Sequence, residues 1–79
     1  MRLDKYLKIS RIIKRRTIAN EACDAGRVKV NGNVVKASYV VKLDDIIEIS
    51  FGSSSFKGQV TQINEYANKD NASMMYSRL

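Results

Sequence analysis

The sequence predicts an α+β domain, with two N-terminal helices packed on a small, mainly antiparallel sheet. Three observations carry that prediction. Apolar residues recur at helical spacing as far as Cys23. From Val28 onward they alternate with polar neighbours, the period of a half-buried strand. The change is punctuated by Gly26 and by Asn31-Gly32, a C-terminal helix stop and a hairpin turn respectively. Helices followed by strands, without alternation, give segregated layers and not a parallel βαβ sheet.

The first helix is expected over residues 2 to about 13. Leu3, Tyr6, Leu7 and Ile13 fall on one side with Ser10 among them, and Lys5, Lys8, Arg11 and Arg15 project to the other. Ile9 and Ile12 break that division, so the helix either ends or bends near residue 10 or buries a wider face. Lys14-Arg15-Arg16-Thr17 precedes the second helix, with Thr17 read as its N-cap, since a threonine hydroxyl can accept a bond from a free opening N–H. Ile18/Ala22 and Ala19/Cys23 are i, i+4 pairs on one narrow face, and Gly26 closes the helix. Three cations ahead of a helix N-terminus, which itself carries about half a positive charge, are unfavourable unless an anion sits there. A phosphate backbone is the natural candidate; the plainer alternative is a solvated basic loop.

Val28-Lys29-Val30 leads into the turn and Asn33-Val34-Val35-Lys36 leaves it. Lys36-Ala37-Ser38 is a connector, followed by Tyr39-Val40-Val41 and a turn at Leu43-Asp44-Asp45. Ile47, Ile49 and Phe51 share one strand face opposite Glu48 and Ser50. Gly52 to Ser55 reads as a loop, and Phe56 to Ile63 as a returning strand with a bulge at Gly58. The domain is expected to span residues 1–63. Residues 64–79 read as a polar, loosely ordered or weakly helical tail whose apolar end, Met74-Met75-Tyr76, packs back on the domain or docks a partner.

Length and composition narrow the function. The 79 residues suffice for one small domain. With 44% hydrophobic and 28% charged residues the chain has a globular composition. No stretch is long enough to span a membrane and no signal peptide is evident, so a cytoplasmic protein is expected. A membrane-surface helix would show a bulkier apolar face and interfacial aromatics, of which only Tyr6 qualifies. Histidine is absent and Cys23 stands alone, which removes the usual zinc ligands and the commonest general base. Cys23 falls on the apolar helix face and reads as a small buried hydrophobe. No metal, cofactor or catalytic group is expected: the sequence describes a binding module.

Charge identifies the partner class. Residues 1–16 hold Arg2, Lys5, Lys8, Arg11, Lys14, Arg15 and Arg16 against Asp4 alone, which equals the whole net charge of +6. The rest of the chain is balanced. Such asymmetry points to a polyanion, with nucleic acid first.

Arg2-Leu3-Asp4-Lys5-Tyr6-Leu7, Arg15-Arg16-Thr17-Ile18-Ala19, Gly26-Arg27-Val28-Lys29-Val30-Asn31-Gly32 and Lys42-Leu43-Asp44-Asp45 resemble the RNA-binding domain named after small-subunit ribosomal protein four, here the S-four domain. The resemblance covers residues 2 to about 51, and its motifs, in this order, are specific. The short length and the Met75-Tyr76 end are similar to the RqcP group of bacterial ribosome-associated quality-control proteins; the related heat-shock S-four proteins usually carry a longer basic extension. The resemblance implies a non-enzymatic factor that binds a large ribosomal subunit still carrying peptidyl-tRNA, contacts ribosomal RNA, steadies the P-site tRNA and assists RqcH in C-terminal alanine tailing. It carries Arg2, Arg15 and Arg16 over as RNA-binding residues, with Thr17, Lys5 and Asn31 as weaker matches. Lys8, Arg11 and Lys14 join them on charge and placement.

Three other readings stay open at this point: a heat-shock-type factor that rescues large subunits, a detached RNA-targeting module of an RNA-modifying enzyme, and a protein adaptor using Met74, Met75 and Tyr76. The residues after the recognisable region are too few for a catalytic domain, which weighs against the enzyme module. A monomer is expected, since no surplus apolar surface is evident.

Overall fold

A computed structural model describes all residues from Met1 to Leu79. Two short helices, α1 (Leu3–Ile9) and α2 (Arg16–Asp24), precede five strands: β1 (Val28–Val30), β2 (Asn33–Val34), β3 (Ile46–Phe51), β4 (Ser54–Val60) and β5 (Tyr76–Arg78). The strands form one antiparallel sheet in the order β2-β1-β3-β4-β5. Leu3, Tyr6, Leu7, Ile13, Ala19 and Cys23 from the helical layer bury against Val28, Val30, Ile47, Ile49, Phe56 and Val60. Fully burying one such aliphatic side chain is worth about 2 kcal/mol, so this interface holds the helices in place. The expected α+β layering is what the chain adopts.

The first helix is shorter than a 2–13 span. It stops at Ile9, the option that Ile9 and Ile12 had raised, because the following Ser-Arg-Ile-Ile run disfavours helix and the Ser10 hydroxyl donates back to the Leu7 carbonyl at 3.3 Å. Arg11 then turns the chain with φ +63°, a left-handed conformation that costs a non-glycine residue about 1 kcal/mol. Ile13 still reaches the core, with its N–H donating to the Leu7 carbonyl at 3.0 Å. At the other junction, Gly26 (φ +73°) closes α2 as expected, and Asn31-Gly32 (φ +53° and +86°) makes the two-residue hairpin turn between β1 and β2.

Several strand assignments are corrected. The returning strand after the hairpin keeps only Asn33–Val34 in β2. Tyr39-Val40-Val41 bridges the N-terminus, with Arg2 opposite Val40 and the Val41 N–H donating to the Met1 carbonyl at 2.9 Å. Ser54 and Ser55 belong to β4 and not to a loop, because Phe51 pairs with Ser54 across a tight Gly52-Ser53 turn. Phe51 shares the face of Ile47 and Ile49 but is 44% exposed, lining an open pocket with Ile18 and Ala22 of α2. No bulge forms at Gly58, which stays in register with Ile47. Glycine is there for a different reason: the Phe56 ring lies over it, 2.7 Å from where a Cβ would be. That ring is in turn edge-on to Tyr76 (5.5 Å, 75°) and 5.5 Å under the Arg78 guanidinium.

The largest correction concerns the C-terminal segment. The expected boundary at residue 63 does not divide the sheet, since β5 pairs with β4 through Gly58↔Arg78, Gln59↔Ser77 and Val60↔Tyr76. A 3₁₀ turn, Ala72–Met75, drops Ala72 and Met75 into the core. The Tyr6 hydroxyl donates to the Met75 carbonyl at 2.6 Å. Burial raises the Tyr6 pKa well above the usual phenol range, so the hydroxyl stays a donor. Met75 is therefore core and not an adaptor surface, which agrees with the plainer reading of the tail.

Candidate nucleic-acid interface

The site grows from an acid in a basic segment. Asp4 lies in the first turn of α1 and is 2% exposed. Its carboxylate accepts the Lys5 N–H at 2.9 Å, approaches the Arg2 Nε and the Arg16 Nε each at 3.3 Å, and accepts from the Asn20 amide at 3.4 Å. Burial pushes the Asp4 carboxyl up. The bonds from Arg16, Asn20 and Lys5 outweigh it and hold the group below the usual carboxylate range. A charge that is buried but paired fixes the geometry of its partners. Arg2 and Arg16 keep about half of their side-chain surface in water, so each guanidinium is oriented by Asp4 while its remaining N–H groups face out.

The start of α2 adds backbone donors. Arg15 occupies the N-cap position and no side chain caps the helix; Thr17, expected there, lies in the first turn instead. The Ala19 N–H donates to the Arg15 carbonyl, which sets the helix start two residues earlier than a Thr17 cap would. The Arg16–Asp4 pair supplies the tertiary reason, overriding the local preference of threonine. Consequently the N–H groups of Arg16, Thr17 and Ile18 have no acceptor within the protein. The Thr17 hydroxyl is exposed beside them. Asp4, Arg16, Thr17, Asn20 and Glu21 line an open cleft of about 410 Å³ at this point.

The other predicted residues divide into an outer ring and two corrections. Lys8, Arg11, Lys14 and Arg15 are exposed, with no acid within ion-pair distance. Lys5 is half-buried and paired to Glu65 at 3.4 Å, tying α1 to the 61–71 loop. Asn31 does not join the cluster. Its side-chain amide donates to Asp45 at 3.0 Å and its oxygen accepts the Ile46 N–H at 2.9 Å, so it staples the hairpin to β3. Asp45 also accepts the Tyr39 hydroxyl at 2.8 Å and the Lys42 N–H at 2.9 Å. Burial raises the Asp45 carboxyl, and these donors overcome it and lower it. Sequence reasoning missed Asn20, although its i+4 spacing from Arg16 places it on the same helix face.

No three His, Cys, Asp or Glu side chains come together as a metal site. Cys23 is buried, and burial, with the charges of Asp4 and Asp24, pushes its thiol up to about 11, which makes it a poor nucleophile. No helix is long and apolar enough to cross a membrane.

Comparison with known proteins gives one consistent result. Residues 1–47 match the S4 domain model. The chain is 51% identical over 76 residues to the "RQC P-site tRNA stabilizing factor" of Halalkalibacterium halodurans, covering 96% of this chain and 86% of that protein. It is 47% identical over 79 residues to the protein of that name in Bacillus subtilis, covering 100% and 92% respectively. Among solved structures, a trimeric Vibrio cholerae Heat Shock Protein 15 superposes with a TM-score of 0.92 at 26% identity, covering 100% of this chain and 81% of that one. The solution structure of hypothetical protein HP1423 superposes with a TM-score of 0.84 at 30% identity, covering 100% and 96%. Sequence and fold comparisons thus agree: the chain belongs to the S4 domain family, among the relatives named RQC P-site tRNA stabilizing factor.

Proposed function

We propose that the chain is a non-enzymatic RNA-binding factor of ribosome-associated quality control. It binds large ribosomal subunits that retain peptidyl-tRNA, contacts ribosomal RNA, steadies the P-site tRNA and so supports alanine tailing by RqcH. The observation that carries this reading is the cluster at the start of α2: three free N–H groups flanked by two arginines that a buried aspartate holds in place. Backbone N–H groups at a helix N-terminus accept an anion, and a guanidinium can fork two bonds onto one phosphate. Arg2, Arg16 and Thr17 form the inner grip on a phosphate. Lys8, Arg11, Lys14 and Arg15 neutralise its neighbours, and Lys5 contributes while tethered to Glu65. Contacts of this kind position a protein on folded RNA by shape and backbone and need no base-reading residue. The names of the relatives supply the ribosomal setting, from which a cytoplasmic location follows.

The test is co-sedimentation with purified large subunits, with and without peptidyl-tRNA, across a salt series. Wild type should prefer tRNA-bearing subunits, with a log–log salt slope of roughly −4 for about five neutralised phosphates. Arg16→Ala should bind about 10- to 50-fold more weakly with the slope reduced by about 1. Equal binding to all RNA, indifferent to Arg16, would leave only a generic basic surface.

The likeness to Heat Shock Protein 15 favours one second reading, a rescue factor for large subunits that acts without RqcH. Alanine tailing in an RqcH-containing reaction, with and without the protein, separates the two.

A further inference from the structure

The 61–71 loop carries a feature that the fold does not use. Of the four tyrosines, Tyr6 is buried and Tyr39 and Tyr76 are half-buried, whereas Tyr66 is 88% exposed. A large aromatic ring left in water keeps about 2 kcal/mol of burial available to a partner that covers it.

The backbone that carries the ring is tied down by bonds within the loop. The Asn64 side-chain oxygen accepts the Tyr66 N–H at 3.0 Å, and the Asn64 carbonyl accepts the Ala67 N–H at 3.3 Å. The Asn68 side chain accepts the N–H groups of Asp70 and Asn71, and Asn71 returns a bond to the Asn68 N–H at 2.7 Å. Ile63 and Ala67 pack against the core on either side.

Its position and charge select the partner. Glu65, the neighbour of Tyr66 in sequence, is paired to Lys5 on α1, so the segment that carries the ring is tied to the basic helical end. The loop itself holds Glu65, Lys69 and Asp70 and adds no net positive charge, so it does not attract phosphates. A flat ring at the rim of a cationic surface suits the other face of a nucleic acid, an unpaired base, which stacks on an aromatic side chain whatever its identity.

We propose that Tyr66 is a stacking platform for an unpaired base of the RNA gripped by the basic helical end. The proposal rests on the RNA-binding reading above and adds a contact of different chemistry to it. Stacking releases no counterions, so its loss shifts affinity without changing the salt slope, which distinguishes it from the arginine contacts.

The experiment measures the affinity of wild type, Tyr66→Phe, Tyr66→Leu, Tyr66→Ala and Arg16→Ala for large subunits carrying peptidyl-tRNA, at several salt concentrations. Circular dichroism melts confirm that each variant is folded, as an 88% exposed side chain predicts. Tyr66→Ala should bind about 5- to 100-fold more weakly, with a slope parallel to wild type. Tyr66→Phe should stay within about twofold, and Tyr66→Leu should resemble the alanine variant, since a base stacks on a ring and not on a branched alkyl group. Arg16→Ala losing affinity while Tyr66→Ala keeps it would overturn the stacking contact alone. Tyr66→Leu binding like wild type would also overturn it, revealing an apolar protein contact. A wild type that fails to bind, or an Arg16→Ala variant that binds equally well, would overturn the RNA-binding reading and the proposal with it.

Discussion

The two helices begin in opposite ways. At the start of α1 the chain meets its own donors: the Leu3 N–H goes to the Tyr39 carbonyl at 2.8 Å, the Asp4 N–H to the Ala37 carbonyl at 3.2 Å and the Lys5 N–H to the Asp4 carboxylate. At the start of α2 the corresponding groups of Arg16, Thr17 and Ile18 are left without acceptors, with no acid in the first turn and with Lys14, Arg15 and Arg16 crowding the positive end. Both termini face the same shortage of acceptors. One is closed by the protein and serves the fold, while the other is left open and destabilised by charge. The helix whose donors are unmet inside is the one available to an outside anion. Asp4 belongs to both, closing α1 with one bond and aiming the α2 arginine with others.

The sharpest way to break this contrast is to close α2 as α1 is closed. Thr17→Asp places a carboxylate among the free N–H groups. Helix stability should rise by about 0.5 kcal/mol in a urea melt. RNA affinity should fall by about 100-fold, because the new anion occupies and repels the phosphate position. An unchanged affinity would mean that the open end is ordinary surface.

Asp4→Asn tests the shared acid. The amide keeps the shape but not the charge, so the two arginines lose their common anchor. Affinity for large subunits should drop by about tenfold, and stability by about 1 kcal/mol. The same variant sharpens the pH dependence. Asp4 and Asp45 both titrate below the usual carboxylate range. Their stabilisation is therefore complete above the unfolded value of about 4 and is lost as pH falls below it through the lower folded values. The wild-type loss of stability between pH 5 and pH 3 should be smaller in Asp4→Asn, since one of the two groups no longer titrates.

The smallest expected effect is at Arg11. Glycine accommodates φ +63° without strain, so Arg11→Gly should gain about 0.5 kcal/mol net of the extra freedom of the unfolded chain. If Arg11 neutralises a phosphate, the same change lowers the salt slope of RNA binding by about 1. Gain in one measurement and loss in the other would place the strain at a functional position.

Much of this was legible because it is local. Helical spacing from Leu3 to Cys23, the glycine stop and the Asn31-Gly32 turn each signal within a few residues, the charge imbalance marked the seven cations of residues 1–16, and the family resemblance singled out Arg2, Arg15 and Arg16 among them. What escaped depends on contacts distant in sequence. Thr17 was displaced as a cap by the pairing of Arg16 with Asp4, and Asn31 was drawn into Asp45 fourteen positions away. The burial of Asp4 and Asp45 was not legible, since burial of a carboxylate depends on donors gathered from several segments. Strand β5 carries only three residues, too few for a period, and it is a strand because β4 presents a free edge to it.

The Tyr6–Met75 bond joins residues 69 positions apart. It ties the first helix, which carries the Asp4–Arg2 pair, to the last part of the chain, so nearly the whole polypeptide becomes one closed loop. Closing a long loop costs little more than closing a moderate one, but no contact compensates that cost until both ends are present. Until residues 72–78 dock, Tyr6 lacks its acceptor and the edge of β4 its partner strand, and these far-separated pairings raise the mean contact separation on which folding speed depends.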